Sequence, residues 1–490
     1  MAAASILPDS LSGLRIHLVG AKGTGIAALA EILSSLGARL SGSDVADVFY
    51  TDNILDALGV AMNVGFESSN LLVDTAIVIH SAAYSRDSNP ELLEAARRGL
   101  PILSYPEALG ALSKRSISAG ICGVHGKTTT TAFAGSLASA LDLPATVLAG
   151  SAVASFGGRC TVIRGDRFFV AETCEYRRHF LNFRPTRIVL TSIESDHQDF
   201  YPTFEDIYRA FLDYLRLLPR TGELIYCADD QGAARAAAEI KAERADLKLT
   251  PYGEMAGGDY RLSNYRTGSG KAAFNLAGFT RDFNLRVPGR HLALDATAAL
   301  ALAISILREV RGSEAVTPSD LDAVVAALAA FSGSKRRSEV LGEAGGVLFM
   351  DDYGHHPTAV RDTIRGIKEF WPERRLVVDF MSHTYSRTKA LFNEFAYCLD
   401  DADAVIMHGI YASAREKPDP EVTGRGLYEE VRKHSKRDKP FFYYESVLEG
   451  EAELASFLEP GDLFLTMGAG DNWKLGEALK KNLSARSETK

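Results

Sequence analysis

Along most of the chain, short uninterrupted apolar runs alternate with longer segments whose apolar positions recur at helical spacing. The runs predict strands buried on both faces, and the periodic segments predict helices laid over them, which is the pattern of parallel α/β sheets. In the first block, Leu14–Gly20 (LRIHLVG) predicts a strand. Gly25–Gly37 follows, with Ile26, Leu29, Ala30, Leu33 and Leu36 on one face of a helix. Thr75–His80 (TAIVIH) predicts another strand. A second block opens with Ser116–Gly123 (SISAGICG), turns through a glycine-rich loop and continues as a helix from Thr129. Phe168–Glu172, Arg187–Ile193 and Glu223–Cys227 predict its further strands. A third block has apparent strands at Gly346–Asp352, Arg375–Phe380, Ala404–His408 and Leu463–Met467. Boundaries near Lys114 and within Phe331–Glu339 divide the chain into 1–114, 115–331 and 332–490. The polar tail Asn482–Lys490 (NLSARSETK) is expected to be disordered.

Composition changes this picture little. A chain of 490 residues exceeds one compact core, and its length suggests about three domains. Hydrophobic residues make up 46% and charged residues 24%, an ordinary globular balance. The formal net charge of −9 argues against nucleic acid or an anionic membrane as principal partner, while permitting a local basic pocket. The five cysteines form no C-x-x-C pair, which points to a reducing compartment without structural zinc or a disulfide framework. No apolar run is long enough to span a membrane, and MAAASILPDS lacks the pattern of a secretion signal. A cytoplasmic location is expected.

Candidate chemistry gathers just after the predicted strands, where open parallel sheets bind ligands. Gly20–Gly25 (GAKGTG) turns from strand to helix, and its glycines allow a diphosphate to approach the helix N-terminus. The spacing is G-x-x-G-x-G rather than G-x-G-x-x-G, which disfavours a nicotinamide cofactor and a dehydrogenase. A tight turn without a ligand is the alternative. Asp44 follows the next strand, where an acid often meets a sugar hydroxyl.

The second loop is Gly123-Val124-His125-Gly126-Lys127-Thr128-Thr129. Lys127 is placed to contact β- and γ-phosphates, and the Thr128 hydroxyl to hold Mg²⁺. The ordinary NTPase loop requires one more glycine, where Ile121 stands. Glu172 ends one strand with Glu175 close behind, and Glu194, Asp196 and His197 follow another. A hard cation needs oxygen ligands and tolerates an imidazole, so Glu172 and His197 are candidate metal ligands. Each, taken singly, is equally a solvated loop residue. The third block carries Lys335, Arg336 and Arg337, then Asp351, Asp352, Tyr353, His355 and His356, then His383, Tyr385 and Arg387. The adjacent His355-His356 pair lacks the spacing of a helical zinc site. These groups suit ATP phosphates (Arg337), a ribose (Asp352) and a small carboxylate (Arg387).

The series G-x-H-G-K-T-T-T-T (123–131), E-x-x-E (172–175), I-E-x-D-H-x-D-x-Y (193–201), R-R-x-E (336–339), D-D-Y-G-H-H-P-T (351–358), Y-S-R-T (385–388) and the final GDLFLTMGAGD (461–471) resembles the Mur ligase family. The resemblance runs from Ile16 to about Trp473 and accounts for the missing glycine, since the loop of that family is G-x-x-G-K-[ST]. It implies three α/β domains: an N-terminal Rossmann-like UDP-binding domain, a central P-loop-type ATPase domain with a parallel sheet, and a C-terminal Rossmann-like domain that closes over the site. The wording is most like the branch that joins L-alanine to the lactyl carboxylate of UDP-N-acetylmuramate through an acyl phosphate, with ATP and Mg²⁺, for peptidoglycan precursors. By matching positions, Lys127, Glu172 and His197 would be catalytic, with Thr128, Glu172 and His197 at metal. Gly123 to Thr129, His291, Arg337 and Asp352 would lie along ATP. Gly20, Gly23, Thr24, Gly25, Asp44 and Ser81 would lie along the UDP moiety. Tyr353, His355, His383 and Arg387 would shape the amino-acid site. A monomer or weak homodimer is expected.

The chain departs from the family wording at Thr173-Cys174, at Tyr176-Arg177, at Ser192, at Leu292 and Asp295 of the adenine segment, and at Thr384. Two other readings stay open: a recycling ligase that attaches a preformed peptide to the same UDP-sugar, and a non-catalytic nucleotide sensor.

Overall fold

The computed structural model describes residues 7–312, 316–412, 416–436 and 438–488. They form two compact units, Met1–Ile193 with Tyr208–Ala256 and Ala296–Ala327, and Glu194–Ile207 with Gly257–Asp295 and Leu328–Lys490. Strands are numbered in chain order.

The first unit holds two sheets. One is five-stranded and parallel, in the order β3-β2-β1-β4-β5. Its strands are β1 (Arg15–Val19), β2 (Arg39–Asp44), β3 (Ala61–Val64), β4 (Thr75–His80) and β5 (Ile102–Ser104). The order reverses between β1 and β4, and a crevice outside the carboxyl ends of strands opens at such a point. The other sheet is seven-stranded, in the order β12-β11-β10-β6-β9-β7-β8, with only the β7–β8 pair antiparallel. It comprises β6 (Ile117–Cys122), β7 (Ala145–Val153), β8 (Arg159–Ile163), β9 (Phe168–Glu172), β10 (Arg187–Leu190), β11 (Glu223–Cys227) and β12 (Lys248–Tyr252).

Helix Thr24–Ser35 joins the two sheets. Ile26, Leu29, Ala30 and Leu33 are buried as its periodicity requires, whereas Leu36, beyond its end as the C-cap, is 36% exposed. Glu31 on the same helix is buried, and its carboxylate accepts from Arg159 Nε at 2.5 Å, Cys160 N at 3.1 Å and Thr161 Oγ1 at 3.0 Å. A buried charge persists only with partners of this kind, so the helix is locked to β8.

The second unit holds a small antiparallel sheet and a six-stranded sheet ordered β16-β17-β21-β18-β19-β20. The small sheet comprises β13 (Leu262–Gly268), β14 (Lys271–Leu276) and β15 (Asp282–Leu285). The larger one comprises β16 (Glu339–Ala344), β17 (Val347–Asp352), β18 (Arg375–Phe380), β19 (Ala404–His408), β20 (Phe441–Tyr444) and β21 (Asp462–Met467). Only β16 pairs antiparallel in it.

Three expectations are corrected. The helix after the second glycine loop starts at Lys127 rather than Thr129, because Gly126 turns the chain in the left-handed region (φ +79°) directly before it. The strand predicted to reach Ile193 ends at Leu190, after which the Thr191 N–H still bonds to Cys122 O at 2.9 Å. The tail is not disordered as far as it is described: helix Trp473–Glu488 runs through it. Leu475, Leu479 and Leu483 lie on one buried stripe of that helix, against Val347 and Phe464. Residues Thr489 and Lys490 of the expected disordered tail lie outside the described residues. No helix among the described residues is long and apolar enough to cross a membrane.

Candidate active site

The second glycine loop leaves β6 between the ends of its two neighbours, β9 and β10. Gly123 has φ +138°, where side chains are strained. A Cβ there would also stand 2.0 Å from Thr191 Oγ1 and 2.7 Å from Ser192 N, so glycine lets the loop lie against the β10 end. His125 N donates to Ser192 Oγ at 3.0 Å on the same side.

On the other side, Glu172 closes β9, and its Oε2 accepts from Thr128 Oγ1 at 2.8 Å. A Cβ on Gly150 of β7 would fall 2.1 Å from that same oxygen. The expected Thr128 and Glu172 pair is therefore formed. Its hydroxyl and carboxylate are the hard oxygen donors that a divalent cation bound to phosphates takes.

Lys127 Nζ lies 3.0 Å from Glu175 Oε2 and 3.1 Å from Oε1, and it donates to Val124 O at 3.3 Å and to Gly123 O. The pair is mostly enclosed, with side chains 13% and 2% exposed. Burial works against the lysine charge, but the carboxylates of Glu175 and Glu172 outweigh it, so its pKa sits above the ordinary value and the ammonium is kept. Glu175 thus holds the lysine that would meet the phosphates. Its position in the sequence alone gives this acid no role.

The first glycine loop is held at the β1–β4 reversal. Asp44 Oδ2 accepts from Lys22 N at 2.7 Å, and Oδ1 accepts from Val45 N at 2.8 Å and Tyr84 Oη at 3.2 Å. Asp44 is thus engaged with the loop itself, and a sugar hydroxyl would share those oxygens. Burial and the Asp44 carboxylate push the Tyr84 phenol up to about 12. A Cβ at Gly20 would strike the Tyr84 ring at 2.4 Å, and one at Gly25 would meet the Tyr105 ring at 2.9 Å. Two tyrosines absent from the sequence reading therefore line the loop. Thr24 Oγ1 bonds to Tyr50 Oη at 2.9 Å, and Ser81 at the β4 end accepts from Ala83 N at 3.3 Å. Gly23 stands beside Gly20, with room for a Cβ 3.4 Å from Gly20 O.

The second unit gathers another cluster. Arg387 is buried, and its Nε and Nη2 each lie 2.9 Å from Asp196 Oδ1, while Nη1 donates to His383 O at 2.7 Å. Nη1 also lies 3.3 Å from His383 Nδ1, so a carboxylate meeting the fork would take the remaining N–H of Nη2 and share the second N–H of Nη1 with that ring. Burial alone would raise the Asp196 pKa, but the Arg387 guanidinium beside it holds it well below the ordinary carboxylate range. Asp196 is a further residue of this cluster, and its adjacency to His197 in sequence does not reveal its pairing with Arg387. His197 N donates to Asp196 Oδ1 at 2.7 Å, and its ring Nε2 lies 3.8 Å from Oδ2.

His355 packs edge-on to both Tyr353 (5.3 Å) and His383 (5.7 Å), and His383 stacks on Tyr411 at 5.8 Å. Burial and the nearby Arg387 charge hold His355 well below its ordinary pKa, so the ring is neutral. Its Nδ1 faces Tyr353 O at 2.9 Å. A carbonyl only accepts, so Nδ1 carries the proton and Nε2 keeps a lone pair.

Arg337 lies over the Tyr353 ring at 5.1 Å. Its neighbour Arg336 is committed elsewhere, to Asp351 at 2.8 Å and Gly468 O at 2.8 Å. Asp352 accepts backbone N–H bonds from Ser338 and Gly354, each at 2.7 Å, and so also fixes the turn it was expected to present to a ribose. His291 opens helix Arg290–Arg311, where a Cβ on Gly289 would strike its ring at 2.4 Å. The first unit thus brings together Lys127, Thr128 and Glu172, and the second brings together His197, Tyr353, His355, His383 and Arg387.

Comparison with known proteins bears on these clusters. The Mur ligase family, catalytic domain, matches residues 15–116; the Mur ligase middle domain matches 121–303; the Mur ligase, glutamate ligase domain, matches 336–470. The chain is 54% identical over 473 residues to the UDP-N-acetylmuramate–L-alanine ligase of Treponema pallidum (strain Nichols), covering 96% of this chain and 97% of that one. It is 38% identical over 469 residues to the enzyme of the same name from Borreliella burgdorferi, covering 95% and 98%. Among solved structures, UDP-N-acetylmuramate–alanine ligase from Thermotoga maritima superposes with a TM-score of 0.78 at 24% identity, over 97% of this chain and all of that one. A murein peptide ligase from Psychrobacter arcticus shares the fold with a TM-score of 0.65 at 21% identity, over 96% and 99%. With its motifs, its sheets and near-full-length relatives in agreement, this chain belongs to the Mur ligase family.

Proposed function

We propose that the chain joins L-alanine to the lactyl carboxylate of UDP-N-acetylmuramate at the expense of ATP, in the assembly of peptidoglycan precursors. The observation that carries the reading is the Lys127 ammonium held in a glycine loop beside the Thr128–Glu172 pair. Identity of 54% to a ligase of that name favours L-alanine over a preformed peptide as the second substrate. Retention of the whole phosphate-facing set argues against a sensor.

A carboxylate is a poor electrophile at neutral pH. One of its oxygens attacks the γ-phosphorus, and the bond from that phosphorus to the β-bridging oxygen breaks, releasing ADP and an acyl phosphate. The amine of alanine then adds to the acyl carbon. The tetrahedral adduct expels phosphate and loses a proton, leaving the amide. Lys127 neutralises charge on the transferring phosphoryl group, which lowers the barrier by positioning and electrostatics. A magnesium ion held by Thr128 and Glu172 would supply further positive charge beside the phosphates. The Arg387 fork binds the alanine carboxylate, and the His355 Nε2 lone pair receives a hydrogen bond from the amino group. Gly20 to Gly25, with Ser81, takes the UDP diphosphate, and Arg337 takes ATP phosphate oxygens. The ATP and amino-acid groups are drawn from residues on either side of Phe331–Glu339, so domain closure on substrates is part of the proposal, as are three domains bounded near Lys114 and that stretch. A cytoplasmic monomer or weak homodimer suits these soluble substrates.

The test is ADP release from ATP and UDP-N-acetylmuramate with L-alanine or with a tripeptide as acceptor. L-Alanine-dependent release is expected; release with the tripeptide alone would replace this reading with the recycling one.

A further inference from the structure

Arg387 and His383 carry the amino-acid assignment, and both sit on the short stretch that leaves β18. Part of its support comes from the segment after β19. His383 and Tyr411 form a parallel bridge, and Tyr411 N donates to Ser382 O at 3.0 Å. The rest comes from one carboxylate. Glu416 Oε1 accepts from Thr384 Oγ1 at 2.8 Å and from Ser386 Oγ, and Oε2 accepts from Ser386 N at 3.1 Å. Thr384 directly follows His383, and Ser386 directly precedes Arg387, so these three bonds clamp the turn between the two candidate substrate groups. Thr384 and Arg387 are both buried. Burial tends to raise the Glu416 pKa, but the bonds from Ser386 outweigh it and keep the carboxylate ionised. Hydrogen bonds to an ionised acceptor are roughly twice as strong as neutral ones, so this is a firm anchor.

We infer that Glu416 is a positioning residue for the amino-acid substrate, fixing the 383–387 turn so that the Arg387 fork and the His383 ring are presented together. The inference rests on the alanine-ligase reading above. Among the described residues, the hydrogen bonds given for Glu416 all go to the 384–386 turn, so its effect is expected on one substrate of three.

The experiment is steady-state kinetics with each substrate varied in turn, alongside thermal unfolding. Glu416→Ala is expected to raise the KM for L-alanine by about tenfold, with the KM for ATP and for UDP-N-acetylmuramate within about twofold. Glu416→Gln keeps one acceptor oxygen and should fall between the variant and the parent. Thr384→Val removes one donor without touching Glu416 and should shift the alanine KM in the same direction, which protects the test if Glu416→Ala folds poorly. An unchanged alanine KM in active Glu416→Ala, or an equal shift for all three substrates, overturns the inference alone. A parent chain that releases no ADP with L-alanine overturns the functional reading and this inference with it.

Discussion

Gly150→Ala is a small change that should disable the proposed nucleotide site without loosening the fold. Gly150 lies on β7 with no left-handed φ, so alanine brings no backbone strain. Its Cβ would stand 2.1 Å from Glu172 Oε2, 2.8 Å from Cδ and 3.0 Å from Oε1. Carbon and oxygen do not approach much closer than about 3.3 Å, so the carboxylate must retreat by about 1 Å. It is the free end of a flexible side chain and can do so at small cost in stability. The retreat takes it from Thr128 Oγ1, its partner at 2.8 Å. A displacement of about 1 Å in a catalytic group costs on the order of 100-fold. The expected result is kcat/KM for ATP down about 100-fold, a higher magnesium requirement, and a thermal midpoint within about 2 °C of the parent. Gly257→Ala is the matched control, because a Cβ there meets nothing within 4 Å. A Gly150→Ala enzyme with parental kcat/KM and parental magnesium dependence would refute the argument that the Thr128–Glu172 geometry matters.

Other predictions concern the enclosed ion pairs. Lys127→Ala should abolish turnover and, by leaving Glu175 enclosed without its cation, lower stability by about 3–5 kcal/mol; Lys127→Met with Glu175→Gln should regain most of the stability in urea titrations and none of the activity. His408 is fully buried, with Nε2 2.6 Å from Asp379 Oδ1 and Nδ1 3.2 Å from Tyr444 O. Both partners accept, which favours the doubly protonated ring, and although burial opposes the charge, Asp379 raises the pKa above 6.5. A raised folded pKa contributes stability that is complete below the unfolded value of about 6.5 and lost as pH rises through the folded value. His408→Gln should therefore cost more stability at pH 6 than at pH 9, and an equal loss at both would refute the imidazolium assignment. Arg387→Lys should raise the L-alanine KM while sparing that for ATP, since an ammonium cannot fork.

The chemistry-bearing loops were legible because each follows an apolar run that can only be a buried strand. Gly123 and Gly126 announced a turn of the kind observed, with positive φ at both. What stayed hidden depends on approaches between segments remote in sequence. Gly150 is one glycine among 42 until β7 lies beside β9 and points it at Glu172. Tyr411 and Glu416 gain meaning only when the segment after β19 meets the turn after β18. The β13–β15 sheet escaped because its strands alternate, with Phe274, Leu276, Phe283 and Leu285 buried between more exposed neighbours, in segments too short to stand out. The last helix misled for another reason: the quoted tail contained Leu483 but excluded Leu475 and Leu479, which complete its stripe four residues apart.

Transfer of a phosphoryl group to the sugar-linked carboxylate is the central claim, and oxygen tracing tests it most directly. UDP-N-acetylmuramate labelled with ¹⁸O in the lactyl carboxylate is turned over with ATP and L-alanine, and the released phosphate is analysed by mass. One labelled oxygen in each phosphate is the predicted result, because the oxygen that attacks phosphorus departs with it. Amide product accompanied by unlabelled phosphate would contradict the account.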